Sequence, residues 1–111
     1  MSNFELIVAI VNKDYAAGLM EAARQVGAKG GTILNARGTG DHNVEKLFGL
    51  TIQQEKEVVL ILTEVKNKIA IMKSVIDAVG LNTLGRGICF SMPVEDVIGT
   101  TFSTLAQDEN N

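Results

Sequence analysis

Apolar positions along this chain follow two periods, and the periods alternate. Phe4-Glu5-Leu6-Ile7-Val8-Ala9-Ile10-Val11 is a β-branched apolar run of strand length. Asn12-Lys13-Asp14 then offers helix-capping side chains. From Tyr15 to Val26 the residues Tyr15, Leu19, Ala22, Ala23 and Val26 fall three or four apart, one face of a helix, and Gly27 sits where a left-handed C-cap ends it. Gly30-Gly31 turns the chain into a second strand, Thr32 to Ala36. The stretch from Arg37 to Gln54 has no sustained period and reads as a long loop with at most one helical turn, around Val44 to Phe48. Loops of that length in small domains are often functional. A third strand, Glu57 to Thr63, precedes a second helix whose predicted buried face is Val65, Ile69, Met72, Ile76 and Val79, closed by Gly80. A glycine-bearing loop, Leu81 to Gly87, leads to a fourth strand, Ile88 to Met92, which Pro93 ends by removing a backbone donor. The polar end, Gln107 to Asn111, is expected to fray.

The order β-α-β-β-α-β predicts an α+β fold, a ferredoxin-like sandwich of four antiparallel strands with both helices on one face. The strands are apolar at nearly every position rather than alternating. Leu6, Ile7, Val8, Ile10 and Val11, like Val58 through Leu62, are therefore expected to be buried on both faces. A chain this short has nothing left to cover the second face, which predicts an oligomer. A charge in place of Ile61 is expected to break that assembly or prevent folding.

The 111 residues make a single domain, 1–111, and their 46% apolar content suits a packed core. No apolar stretch reaches the ~18 residues of a membrane span. The first residues lack the basic flank and cleavage site of a signal peptide, and the lone Cys89 lies in an apolar run. Both features lead to a cytoplasmic protein with a reduced core thiol. Ten basic residues against thirteen acidic ones, a formal charge of −3, set nucleic acid aside as a general partner.

Residues able to do chemistry are few. His42, the only histidine, could join Asp41 and Glu45 around a metal, but one imidazole and two carboxylates on a loop are more simply solvated. No Ser-His-Asp or Cys-His nucleophile is evident, and Glu95-Asp96 and Asp108-Glu109 are most simply solvent-facing. The expectation is a protein without catalytic residues, bound metal or cofactor. The glycines carry more. Arg37-Gly38-Thr39-Gly40 follows a strand and Gly85-Arg86-Gly87 precedes one, each pairing spaced glycines with an arginine near which a phosphate can approach the backbone. Neither matches the P-loop or the dinucleotide fingerprint. Together they outline a binding cleft.

Four stretches in this order give the chain its likeness. They are Leu6-Ile7-Val8-Ala9-Ile10, Val26-Gly27-Ala28-Lys29-Gly30-Gly31-Thr32, Arg37-Gly38-Thr39-Gly40 and Gly85-Arg86-Gly87-Ile88-Cys89-Phe90. Across roughly Phe4 to Gly99 the chain resembles the PII nitrogen-regulatory signal-transduction family. The resemblance implies a homotrimer that binds an adenine nucleotide (AMP, ADP or ATP) in clefts between subunits. It also implies a T-loop, here about 38–55, that docks on a membrane transporter or a metabolic enzyme, with a B-loop at about 81–87 and a tail at about 100–111. By position, Thr32, Arg37, Gly38, Thr39 and Gly40 would face the ligand from one side. Leu62 and Thr63 would line its base, and Gly85, Arg86 and Gly87 would meet the phosphates from another subunit.

The chain also departs from that family's pattern. Ile88 stands where the family places a lysine, and no basic pair occurs from Val94 to Phe102. The T-loop is several residues short and contains no tyrosine, so the family's uridylylation switch cannot operate there; the only tyrosine is Tyr15. Fewer cations weaken a triphosphate most, so a mono- or diphosphate is expected to compete well with ATP. The alternatives are a ferredoxin-like metal- or small-metabolite-binding module and a small enzyme of the same fold, both of which would depend on His42.

Overall fold

The computed structural model describes residues 3–39 and 54–99. The elements run β1 (Phe4–Asn12), α1 (Ala16–Gln25), β2 (Thr32–Gly38), β3 (Gln54–Glu64), α2 (Val65–Val79) and β4 (Ile88–Val94). The sheet order is β2-β3-β1-β4, every neighbour antiparallel, as the ferredoxin-like reading requires. Pro93 does not end β4 as expected: the strand runs on to Val94, with Pro93 opposite Glu5, because β4 is an edge strand where a missing donor is tolerated. Strands β2 and β3 are also longer than periodicity suggests. Arg37 pairs with Glu55 and Gly38 with Gln54, so these residues belong to the ladder and not to the loop. Main-chain hydrogen bonds extend a hairpin without needing apolar side chains, which is why the pattern ends before the strands do. The helical turn expected at Val44 to Phe48, the rest of that loop and the tail lie outside the described residues.

Register sorts the sheet into two faces, because directly paired residues point the same way. On one face lie the rungs Ile33-Val59-Ala9-Cys89 and Ile61-Ile7-Ser91. Ile7, Ala9, Val11, Val59 and Ile61 are fully buried there beneath the helices. On the other lie Leu34-Val58-Ile10-Ile88, Thr32-Leu60-Val8-Phe90 and Leu62-Leu6-Met92. Within one chain this second face is open: Leu34, Ile88, Phe90 and Met92 are each more than 40% exposed. The strands are thus apolar on both faces, but the fully buried core lies on only one; on the other, Phe4 and Val8 are covered while the outer strands stay exposed. Ile61 faces the helices and belongs to the core, so of the two outcomes expected for a charge there this position favours prevented folding; Leu60, beside it, is the residue on the open face.

Helix α1 buries Ala16, Leu19, Met20 and Ala23, while Val26 is exposed. No local side chain caps its start. Instead Glu57 of β3 accepts from the main-chain N–H groups of Asp14 (2.8 Å) and Ala16 (3.0 Å) through Oε1. Its end is as expected: Gly27 has φ +114°, the Gly27 N–H donates to Arg24 O (3.2 Å) and the Ala28 N–H to Ala23 O (3.0 Å).

Helix α2 buries a different stripe from the one periodicity selects. Ile71, Val75 and Val79 face the core, Met72 packs at its margin, and Val65, Ile69 and Ile76 are exposed. This helix is apolar around much of its circumference, so spacing alone does not choose the face. The choice is made where Ser74 donates to Ala22 O of α1 (3.0 Å) and Lys68 pairs with the buried Glu5 of β1 (3.2 Å). Ile69, Met72, Lys73, Ile76 and Asp77 are left to line a shallow outer groove.

Candidate functional site

The antiparallel register brings the end of β1 and the start of β3 together at one end of the sheet. Asn12 and Lys56 lie directly opposite each other there, on the open face. Lys56 Nζ donates to Asn12 Oδ1 at 2.7 Å. Gly38 of β2 lies over the Lys56 stem: a Cβ on Gly38 would stand 3.1 Å from Lys56 Cε. Asn12 also holds the turn before β4, its N–H donating to Gly85 O (2.8 Å) and its Nδ2 to Leu84 O (2.9 Å). Lys13 pairs with Glu55 at 3.2 Å, and the hydrogen bond and charge of Glu55 raise the Lys13 pKa above its ordinary value. Gly38, Lys56, Asn12 and the 84–87 turn therefore meet in one place, with Arg86 exposed beside them.

The glycines of that turn make room for side chains of this chain. A Cβ on Gly85 would stand 2.9 Å from Val79 Cβ, and one on Gly87 would stand 2.5 Å from Val79 O and 2.8 Å from Val11 Cγ1. Three successive N–H groups are spent internally: Gly85 donates to Thr83 Oγ1 (3.2 Å), Arg86 to Thr83 O (3.1 Å) and Gly87 to Val79 O. A phosphate meeting this turn is left with the Arg86 guanidinium rather than a cradle of those three amides. Arg86 holds φ +47°, a left-handed conformation that an L-residue adopts at a cost of about 1 kcal/mol.

The remaining sequence candidates divide by face. Arg37 alternates with Asn35 and Ile33 onto the helix side of β2, opposite Glu55. Thr32 and Leu62 lie on the open face, and Thr39 is exposed at the end of β2. Leu62 is six residues along β3 from Lys56, a span of about 20 Å at strand rise, so one chain does not bring them into a common pocket. Thr63 faces the helices, is 1% exposed and donates to Glu64 O (3.2 Å). Gly40, with Asp41, His42 and Glu45, lies outside the described residues, and the described residues contain no group of metal-ligating side chains. Cys89 is half-buried on the helix side, where burial raises its thiol pKa.

Sequence reasoning missed Lys56 and the bridging role of Asn12. The signal for Lys56 is present: counting back by twos from Leu62, Leu60 and Val58 reaches Lys56, a charge at the end of an apolar stripe. Nothing local shows that Asn12 meets residues 84 and 85, more than seventy positions away.

Comparison with known proteins gives one family and a shared fold. The family model described as Nitrogen regulatory protein P-II matches residues 4–101. No curated protein matches the chain. Among solved structures, Arabidopsis thaliana PII bound to citrate is similar at TM-score 0.69 and 22% identity, over 89% of this chain and 82% of that one. A DUF3240 family protein from Shewanella baltica is similar at TM-score 0.68 and 15% identity, over 91% of this chain and all of that one. At these identities the two structures support the fold alone.

Proposed function

The chain belongs to the Nitrogen regulatory protein P-II family, and on that premise we propose that it is a non-enzymatic regulator that binds an adenine nucleotide between subunits of a homotrimer. Its target, reached through the T-loop at about 38–55, is a membrane transporter or a metabolic enzyme, and its place is the cytoplasm. No helix among the described residues is long and apolar enough to cross a membrane.

One observation carries this reading. The sheet end bearing Lys56, Asn12 and Gly38 opens onto the same face that the chain leaves apolar and uncovered. A second copy packed on that face would stand beside those groups, and a ligand between copies could reach Lys56 and Arg86 from one chain and Leu62 and Thr32 from the other. Residues about 20 Å apart in one strand would in this way serve a single ligand. Thr63, enclosed under the helices, would support Leu62 without touching the ligand.

The charge available sets the preference among nucleotides. A triphosphate brings roughly four negative charges and a monophosphate roughly two. With the 85–87 amides already engaged, Lys56 and Arg86 are the cations that the described residues offer on the open-face side of this sheet end, Lys13 being paired with Glu55 and Arg37 lying on the helix side, and two cations suit one or two phosphates. AMP or ADP would then bind at least as well as ATP. Titration calorimetry with all three, on the wild type and on Arg86→Ala, tests this: the variant should bind about 1 to 3 kcal/mol more weakly. Tight ATP binding indifferent to Arg86 would refute the assignment.

A further inference from the structure

Asn12 bonds in two directions through one rigid side-chain amide. Its acceptor end, Oδ1, takes the Lys56 ammonium, and its donor end, Nδ2, gives to Leu84 O. The orientation is unambiguous, because an ammonium has no lone pair to offer and a carbonyl no proton. The amide is planar, so a turn about its terminal torsion that follows Lys56 also swings Nδ2 away from Leu84 O. Leu84 is 79% exposed, so packing does not fix that residue. Lys56 itself sits against Gly38 in β2, across the sheet from the turn.

We propose that Asn12 is a positioning residue that couples the state of Lys56 to the 84–87 turn. With Lys56 seated on Oδ1, the amide is held where Nδ2 grips the Leu84 carbonyl. An anion that draws the ammonium away removes a charge-assisted bond from one end of the amide and frees the other end to move. The Asn12 N–H bond to Gly85 O remains, so the turn hinges and is not released. The start of β3 at Lys56 and the 84–87 turn are thereby linked through one side chain. The identity of the anion rests on the nucleotide reading given above; the coupling does not.

The test is amide exchange of Gly85 and Arg86 in the full chain without ligand. Lys56→Met keeps the stem over Gly38 and removes only the ammonium. It should speed exchange at Gly85 and Arg86 by about tenfold, with the core amides of Ile7 and Ile61 unchanged. Asn12→Asp, which keeps an acceptor for Lys56 and loses the donor to Leu84 O, should speed the same amides. In the Asn12→Ala background, Lys56→Met should add nothing further. Unchanged exchange in Lys56→Met, full additivity in the double variant, or equal acceleration at Ile7 and Ile61 would each overturn the coupling. Because no nucleotide is present, a failure to bind nucleotide would sink only the proposed function and leave this result standing.

Discussion

The two faces of the sheet are built from the same kinds of residue and meet different ends. Ile7, Ala9, Val11, Val59 and Ile61 lie under the helices with no exposure, whereas Leu34, Ile88, Phe90 and Met92 on the reverse remain open. In sequence the two sets interleave, Ile61 beside Leu60 and Leu62, with no change in composition. The difference lies in what each face has to pack against. One is finished by α1 and α2, and the other is left without a covering layer by the described residues. The polar groups of the candidate site follow the same division: Lys56 and Asn12 stand at the margin of the open face, and Glu57, one residue from Lys56, faces the helices and caps α1.

The sharpest way to break this comparison is one charge on each face, at adjacent positions. Ile61→Asp places an unpaired carboxylate in the core and should prevent folding, a loss of several kcal/mol visible as lost circular dichroism. Leu60→Asp should leave a folded chain that no longer assembles, seen in sedimentation as the 11.9 kDa monomer. Matching behaviour in the two variants would mean that the faces are equivalent after all.

Gly87→Ala comes next, at about 1 to 3 kcal/mol, because its Cβ would press on Val79 O and Val11 Cγ1. Thermal melting should show that loss with or without nucleotide, since the glycine serves packing on the closed side. A melting temperature equal to wild type would show that packing does not require a glycine there. Glu57→Ala should cost about 1 kcal/mol by leaving the Asp14 and Ala16 N–H groups without their acceptor. Urea denaturation should resolve that loss while assembly is retained, because Glu57 lies on the helix side.

The smallest effect concerns Cys89 on the same helix side. Burial raises its thiol pKa, so iodoacetamide should label the native protein more slowly at pH 8 than it labels the unfolded chain. The sign for stability follows. The unfolded thiol ionises first, so this contribution is present below the ordinary thiol range and is lost as pH rises through the higher folded value. Native labelling as fast as unfolded would remove Cys89 from the covered face.

Much of this architecture was legible in the chain. Uninterrupted apolar strands gave the doubly apolar sheet, and Gly27 gave the end of α1. The stripe buried on α2 was not legible, because Ile69 and Ile76 are as apolar as Ile71 and Val75, and partners distant in sequence make the choice. The site was half legible. Glycine and arginine marked the 84–87 turn, but the use of its N–H groups depends on Thr83 and Val79 in three dimensions. Asn12 read as a helix cap because its alternative partners are remote in sequence, while the true acceptor at α1, Glu57, looked like an ordinary charge at the start of a strand.

On the proposed reading the ligand site is complete only where a second copy covers the open face. Calorimetric titration of ADP into wild type and into Leu60→Asp, with both masses checked by sedimentation, tests it most directly. Wild type should sediment at three times the 11.9 kDa chain mass and bind one ADP per chain, and the dissociated variant should stay folded and bind none. Equal ADP binding by the folded monomer, or no binding by the wild type, would contradict the account.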